Sequence, residues 1–196
     1  MSDGSKRVTI VTGGSRGIGA ATALVCGQNG HAICVTYRDR ADKAEEVVAS
    51  IKASGGEAIA VQADTAVEAD VTRLFEMVDD ALGTVTGLVN NAGIHGPRIR
   101  VDALEKADVE RVFAVNVTAL FQCSREAIRR MSTRHGGKGG AIVNVSSGSA
   151  RLGSPGAGVL YAASKGAVNS LTIGLSQEVA GEGIRVNAVA PGLTVT

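Results

Sequence analysis

The chain has 196 residues, of which 44% are hydrophobic and 20% charged, which is enough for a single domain with a filled core over residues 1–196. A net charge of +1, no basic tract and an aromatic content of 3% give no reason to expect nucleic acid or an anionic membrane surface as a partner. No apolar run resembles a signal peptide or a membrane-spanning helix, so we expect neither.

The three cysteines lie far apart and outside any CxxC spacing, at Cys26, Cys34 and Cys123. This pattern argues against a disulfide framework and against a zinc site. We therefore expect packed, reduced thiols, no bound metal and a cytoplasmic location.

The first element is a strand, a glycine turn and a helix over residues 7–30. The run VTIV at 8–11 is typical of a strand covered on both faces, as a parallel sheet requires. Gly13, Gly17 and Gly19 follow where the chain must turn sharply, approach a phosphate and pack the new helix against the sheet. Unpaired amides in the first helical turn, with the positive end of the helix dipole, make this turn a candidate pyrophosphate site.

Strands and helices alternate along the rest of the chain. The patterns predict further strands at 31–37, 57–63, 85–91, 141–146 and 184–190, and helices at 41–56, 67–82, 104–134 and 161–181. Such alternation predicts an α/β fold with a doubly wound parallel sheet, helices on both faces and right-handed crossovers.

The fourth strand is followed directly by Asn90-Asn91-Ala92-Gly93. Ala92 and Gly93 carry almost no side chain, so a ligand can lie against bare backbone there. Further along, Asn116 stands in the apolar helical stretch FAVNVTALF, an unfavourable place for an amide unless it has partners.

Tyr161 and Lys165 form the strongest candidate pair. Residues four apart share one face of a helix, so the phenol and the ammonium are expected to project into the same cleft. A free tyrosine ionises near pKa ~10 and is a poor base at neutral pH, but an adjacent cation favours the phenolate. The spacing therefore predicts an acid–base group.

Taken in order, TGGSRGIG at 12–19, NNAG at 90–93, a serine pair at 146–147, YxxxK at 161–165 and Pro-Gly at 191–192 resemble the short-chain dehydrogenases/reductases. The resemblance covers nearly the whole chain. It implies a single Rossmann domain that passes a hydride between NADP(H) and a small carbonyl or secondary alcohol. Sugar dehydrogenase-like and 3-oxoacyl thioester reductase-like activities both remain open.

The same resemblance assigns the catalytic roles. Tyr161 would be the general acid or base, Lys165 would tune it and bind the nicotinamide ribose, and Asn116 would kink its helix and complete a proton relay. Only one of two successive strand side chains can face the cleft, and the resemblance assigns this position to Ser147, whose hydroxyl would bind the substrate oxygen. The interval from Ser147 to Tyr161 is one residue longer than is usual in the family, which leaves Ser149 as an alternative.

Cofactor preference depends on the end of the second strand, beside the adenosine ribose. Arg38, with Arg16 in the glycine turn, favours the phosphate of NADP(H). Asp39 would admit NAD if its carboxylate turned towards the ribose. Asp64 resembles the acidic residue beside the adenine in the family and could equally cap the following helix.

The resemblance implies a broad cofactor surface that ends at a turn over the nicotinamide carboxamide. Its residues are Thr12, Gly13, Ser15, Arg16, Gly17, Ile18, Gly19, Tyr37, Arg38, Asp64, Asn90, Ala92, Gly93, Tyr161, Lys165, Pro191, Gly192 and Thr194, with Thr196 as an alternative to Thr194.

Relatives in this family usually continue beyond the position of Thr196 into a substrate-covering segment and a seventh strand. Without these, we expect the sixth strand to expose an edge and apolar surface. The alternative function is therefore an NADP(H)-binding scaffold or subunit without turnover. The resemblance also implies a homodimer or homotetramer formed through the helices predicted at 104–134 and 161–181.

Overall fold

The computed structural model describes residues 6–194. The strands are β1 (Arg7–Val11), β2 (His31–Tyr37), β3 (Ala58–Gln62), β4 (Gly87–Asn90), β5 (Gly140–Val145) and β6 (Ile184–Val189). The helices are α1 (Gly17–Gln28), α2 (Ala41–Ala53), α3 (Glu68–Leu82), α4 (Lys106–Phe113), α5 (Ala119–Met131), α6 (Ser149–Leu152) and α7 (Val159–Glu178).

All six strands are parallel and follow the order β3-β2-β1-β4-β5-β6. The chain first builds outwards from β1 to β3 and then crosses back to place β4 on the other side of β1. In open α/β sheets, ligands bind beyond the carboxyl ends of the strands at the position where the order reverses. The predicted doubly wound fold is thus confirmed, and its crevice lies between β1 and β4.

Helices cover both faces of this sheet, and the side chains of β1 serve the two layers alternately. Ile10 packs into the core beneath α3 and α5, together with Phe75. Val11 points the other way and packs with Ala23 of α1 and Val47 of α2. Because both faces are buried, the central strand needs apolar residues at successive positions, as its sequence shows.

The long helix predicted at 104–134 is interrupted. A π-helical turn, Ala114–Thr118, separates α4 from α5 and contains the fully buried Asn116. Such turns widen the helix by one residue and re-aim the side chains around them. The stretch at 149–152, which lies outside the predicted strands and helices, forms the short α6, and α7 begins two residues before the predicted start.

Within residues 6–194, no helix combines the length and apolar character needed to cross a membrane. In this part of the chain, β6 pairs with β5 on one side only.

Candidate active site

The glycine turn after β1 is tied to the segment after β4 by one hydroxyl. Thr12 Oγ1 accepts hydrogen bonds from the backbone N–H groups of Asn91 and Ala92, both at 3.0 Å, and donates to Val89 O at 3.3 Å. Gly13 has φ +62°, and a Cβ there would lie 3.0 Å from Ala92 Cα. Two motifs that are distant in sequence thus form one continuous wall of small residues at the crevice.

Asn91 is a site residue that sequence reasoning missed. Its Nδ2 donates to Thr12 O at 2.9 Å and to Gly13 O at 3.0 Å. A Cβ added at Gly19 would lie 2.5 Å from both Asn91 Nδ2 and Gly13 O, so only glycine fits at the start of α1. The signal for this role was the doubled asparagine in NNAG, of which we selected the other member.

That other member, Asn90, turns its side chain into the interior. It is 2% exposed, and its Nδ2 donates to Asn144 Oδ1 at 2.9 Å and to Ser124 Oγ at 3.3 Å. The Asn90 side chain therefore joins β4 to β5 and α5, and only its backbone lies near the crevice.

The start of α1 carries no side-chain cap. Arg16 is the N-cap residue in extended conformation, and its exposed side chain makes no capping bond. The amides of Gly17, Ile18 and Gly19 stand in the first turn, where a helix offers no internal acceptor. Together with the half-buried Ser15, these donors fit a pyrophosphate group, because Gly17 and Gly19 bring no side chain into the turn.

At the end of β2, Arg38 is already paired. Its guanidinium lies 2.7 Å from Asp39 Oδ2, and this hydrogen-bonded carboxylate raises the pKa of Arg38. Both side chains are about half exposed or more, and the half-buried Tyr37 precedes them. An anion that binds Arg38 must therefore compete with the Asp39 carboxylate for the guanidinium. The same ion pair holds the Asp39 carboxylate on Arg38.

Asp64 takes part in the turn that leads from β3 to α3. Its Oδ1 accepts from Ala66 N at 3.0 Å, and its own backbone N–H donates to Asp70 Oδ2 at 2.9 Å. Asp64 therefore does not cap α3, whose N-cap residue is Val67; its carboxylate closes an Asx-type turn in the loop before the helix. A contact between this carboxylate and an adenine stays a prediction.

Tyr161 and Lys165 lie on the same face of α7. Lys165 Nζ is 5.8 Å from the centre of the Tyr161 ring. The lysine is 3% exposed, its Nζ donates to Val145 O at 2.7 Å, and burial lowers its pKa from 10.5 to about 8. The Lys165 ammonium is therefore anchored on β5 near the Tyr161 ring, and the acid–base role of the pair stays a prediction.

The two serines after β5 face opposite ways. Ser146 is buried and donates from Oγ to Lys165 O at 3.2 Å. Ser147 is half-buried, and its Oγ accepts from Ser149 N at 3.2 Å. The Ser147 hydroxyl keeps its own proton available, whereas Ser149 begins α6. Whether Ser147 or Ser149 contacts a substrate is not tested by this geometry, and the assignment to Ser147 stays a prediction.

Asn116 joins the segment after β4 to α7. Its Oδ1 accepts from Ile94 N at 2.8 Å, and its Nδ2 donates to Ile94 O at 2.8 Å and to Ser164 Oγ at 3.0 Å. Ser164 Oγ in turn donates to Tyr161 O at 2.7 Å. Both amide hydrogens are thus used within the protein, which makes Asn116 a positioning residue, and its part in a proton relay stays a prediction.

His95 is a second residue that sequence reasoning missed. Its imidazole stacks on the Tyr161 ring with centroids 4.7 Å apart and planes 16° from parallel. Its position directly after NNAGI was the available signal, since that segment was expected to line the crevice.

The segment after β6 reaches the same edge of the sheet. Pro191 O accepts from Gly148 N at 2.9 Å, which places Pro191 and the exposed Gly192 beside the end of β5. Thr194 is exposed, and its Oγ1 donates to Gly192 O at 3.5 Å. Thr196, the alternative to Thr194, lies outside the described residues.

The three cysteines pack in the hydrophobic layers on the two faces of the sheet. Cys34 and Cys123 are buried, and burial raises their pKa values, that of Cys123 to about 12. Cys26 is partly exposed, and burial raises its pKa as well. Across residues 6–194, no group of three histidine, cysteine or acidic side chains could hold a metal ion.

A parallel doubly wound sheet with a glycine turn at its switch point defines a dinucleotide-binding α/β protein. The family model described as short chain dehydrogenase matches residues 7–196, and the chain belongs to this family of oxidoreductases, which act on CH–OH and carbonyl groups.

Several relatives are similar over most of their length. The oxidoreductase YgfF of Escherichia coli (strain K12) is 50% identical over 189 residues, covering 96% of this chain and 76% of the relative. The 3-oxoacyl-[acyl-carrier-protein] reductase of Synechocystis sp. is 38% identical over 190 residues, covering 97% and 75%. A crystal structure of a short chain dehydrogenase from Burkholderia cenocepacia J2315 in complex with NADP has TM-score 0.90 and 41% identity, covering 97% and 75%.

Proposed function

We propose that this protein is an NADP(H)-dependent oxidoreductase that interconverts a carbonyl and a secondary alcohol, with Tyr161 as general acid or base. The carrying observation is the Tyr161–Lys165 pair on α7, which lies at the carboxyl edge of the sheet that also holds the glycine turn. The segment that contacts the glycine turn also approaches this pair, since a Cβ added at Gly93 would lie 3.5 Å from Lys165 Nζ.

The residues around the crevice fit a dinucleotide. The first turn of α1 would hold the pyrophosphate, Ala92 and Gly93 would let the cofactor lie against backbone, and Pro191-Gly192 would meet the carboxamide. Bound NADPH supplies the hydride that is delivered to the carbonyl carbon.

The chain's own residues manage the proton. Tyr161 donates its phenolic proton to the substrate oxygen during reduction and takes it back during oxidation. Lys165 stabilises the phenolate by its charge, and with one Nζ proton on Val145 O it retains two for a ribose hydroxyl. Ser147 donates to the substrate oxygen and stabilises the charge that develops there.

We propose NADP(H) as the preferred cofactor. Two guanidinium groups, Arg16 and Arg38, would lie at the adenosine end, and the Burkholderia relative was crystallised with NADP. The Arg38–Asp39 ion pair is consistent with this preference because it occupies the carboxylate that would otherwise favour the unphosphorylated ribose.

For the substrate, we propose a small carbonyl compound or the acyl chain of a 3-oxoacyl thioester. The second class follows from the Synechocystis relative, a 3-oxoacyl-[acyl-carrier-protein] reductase, and sugar-like polyols are the competing class.

We also propose a homodimer or homotetramer formed through α4, α5 and α7. Phe121 and Ile173 support it, because these large apolar side chains on α5 and α7 are 59% and 61% exposed in the single chain.

The test is an assay of NADPH absorbance with a panel of aldehydes, ketones, 3-oxoacyl thioesters and, with NADP+, polyols. Tyr161→Phe keeps the ring and removes the proton donor. We expect turnover by the wild type, its loss in the variant and unchanged NADPH binding. Retained turnover in Tyr161→Phe would refute the assignment, and NADPH binding without any turnover would favour the non-catalytic subunit.

A further inference from the structure

We propose that His95 is a positioning residue that holds the ring plane of Tyr161 for proton transfer, acting through its aromatic face. This inference rests on the proposed function, since it concerns the orientation of the group that would transfer the proton. Its support is a closed circuit of contacts around the Tyr161 ring.

The first part of the circuit is the stack itself. The imidazole and the phenol lie 4.7 Å apart between centroids, with 16° between planes. An offset stack of this kind is an attractive arrangement for two aromatic rings. It also resists rotation of the phenol about its Cα–Cβ and Cβ–Cγ bonds, because rotation would drive the ring edge into the imidazole. The direction of the phenolic O–H is thereby restricted.

The second part fixes the backbone that carries His95. Asn116 binds both the N–H and the C=O of the preceding residue, Ile94, each at 2.8 Å. Asn116 is fully buried in the π-helical turn and cannot shift without breaking these bonds. The imidazole is therefore presented from a rigid support.

The third part returns to Tyr161. Asn116 Nδ2 also donates to Ser164 Oγ at 3.0 Å, and Ser164 Oγ donates to Tyr161 O at 2.7 Å. The Asn116 amide thus fixes the position of α7 through Ser164 and the position of the backbone before His95 through Ile94. The spacing between the two rings is fixed by the same residue that fixes their supports.

The contact that the described residues make with the imidazole is the ring stack on Tyr161. His95 Nδ1 is buried and has no partner among the described residues. What the imidazole does supply is a flat face of the right size, so another planar ring is expected to replace it.

The kinetic test compares three variants. His95→Phe keeps a planar ring, His95→Leu fills the space without one, and His95→Ala empties it. We expect Leu and Ala to lower kcat by about 10- to 100-fold, the range for a displaced catalytic group, with KM for NADPH little changed. We expect Phe to recover most of kcat. Equal losses in all three variants, or full kcat in His95→Ala, would overturn the proposal.

A spectroscopic test does not depend on turnover. The chain has two tyrosines and no tryptophan, so Tyr37→Phe leaves Tyr161 as the only tyrosine signal. In that background we expect His95→Ala and His95→Leu to move the Tyr161 ring-proton resonances downfield, as the shielding from the stacked imidazole is lost, and His95→Phe to keep them upfield. Unmoved resonances would refute the stack. Absent turnover with shifted resonances would refute the oxidoreductase assignment and leave the ring contact standing.

Discussion

Lys165 Nζ donates to the carbonyl oxygen of Val145 at 2.7 Å and lies 5.8 Å from the centre of the Tyr161 ring. The bond anchors α7 to the end of β5 and brings an amine that is 3% exposed next to the phenol. Burying an amine in this way has a free-energy cost for its charged form. The same residue that serves the proposed chemistry therefore makes stability depend on pH.

Lys165→Met tests this cost. The folded pKa is about 8 against 10.5 for an exposed lysine. Between these values the unfolded chain binds more protons, so this residue makes wild-type stability rise with pH from about 8 to about 10.5. Relative to the variant, we expect the wild type to gain up to roughly 3 kcal/mol across this window. Urea unfolding of both proteins at a series of pH values measures the difference, and parallel profiles would contradict the expectation.

Arg38→Leu tests the cofactor assignment. Loss of a charge-assisted bond to the ribose phosphate is expected to weaken NADPH binding by about 10- to 100-fold and to leave NADH binding nearly unchanged. Arg40→Leu is the matched control, because Arg40 is an exposed arginine two residues further along that pairs with Asp42 in the first turn of α2. Fluorescence titration with both nucleotides gives the constants. Equal weakening of NADPH and NADH by Arg38→Leu would argue against a phosphate contact.

Gly19→Ala tests the cradle at the start of α1. The added methyl would lie 2.5 Å from Gly13 O and Asn91 Nδ2, so the turn must open. We expect at least a tenfold loss of NADPH affinity, in line with one or more lost backbone bonds to the phosphates. Gly174→Ala in α7 meets nothing within 4 Å and is expected to stabilise the fold by about 0.5–1 kcal/mol. Calorimetry and NADPH titration separate the two, and unaltered affinity in Gly19→Ala would count against this phosphate site.

Asn116→Ala tests the amide that joins the two sides of the site. It leaves the partly buried N–H and C=O of Ile94 unpaired, which we expect to reduce the free energy of unfolding by about 2–4 kcal/mol. Asn29→Ala removes a side-chain bond to Val25 O on the exposed end of α1 and should cost far less. Similar losses in both variants would show that Asn116 has no special structural role.

Ser147→Ala and Ser146→Ala separate the two hydroxyls. We expect Ser147→Ala to lower kcat by about 100-fold, typical of losing a donor to a developing oxyanion, with stability unchanged. Ser146→Ala removes a buried bond to Lys165 O and should lower stability by about 1 kcal/mol. If Ser147→Ala is fully active and Ser149→Ala is not, the substrate contact belongs to Ser149.

Much of the architecture was readable from local pattern. Apolar runs at 8–11 and 31–37 predicted β1 and β2, because a strand buried on both faces needs apolar residues throughout. Local apolar periodicity predicts one helix across the π-helical turn at Ala114–Thr118, and only the family resemblance indicated a kink at Asn116. Its cause is remote, since the partners of Asn116 lie 22 and 48 residues away along the chain.

The sequence by itself determined the order of strands and helices, the glycine turn and the Tyr161–Lys165 pair, since each depends on residues close together in the chain. Only the tertiary structure decided which of two adjacent asparagines supports the turn. Asn90 stands opposite Asn144 in the β4–β5 register and so faces the interior, which leaves Asn91 for the turn. Tertiary structure also decided that His95 stacks on Tyr161. Such contacts arise from register and from crossings between distant segments, and no local pattern of residues encodes those.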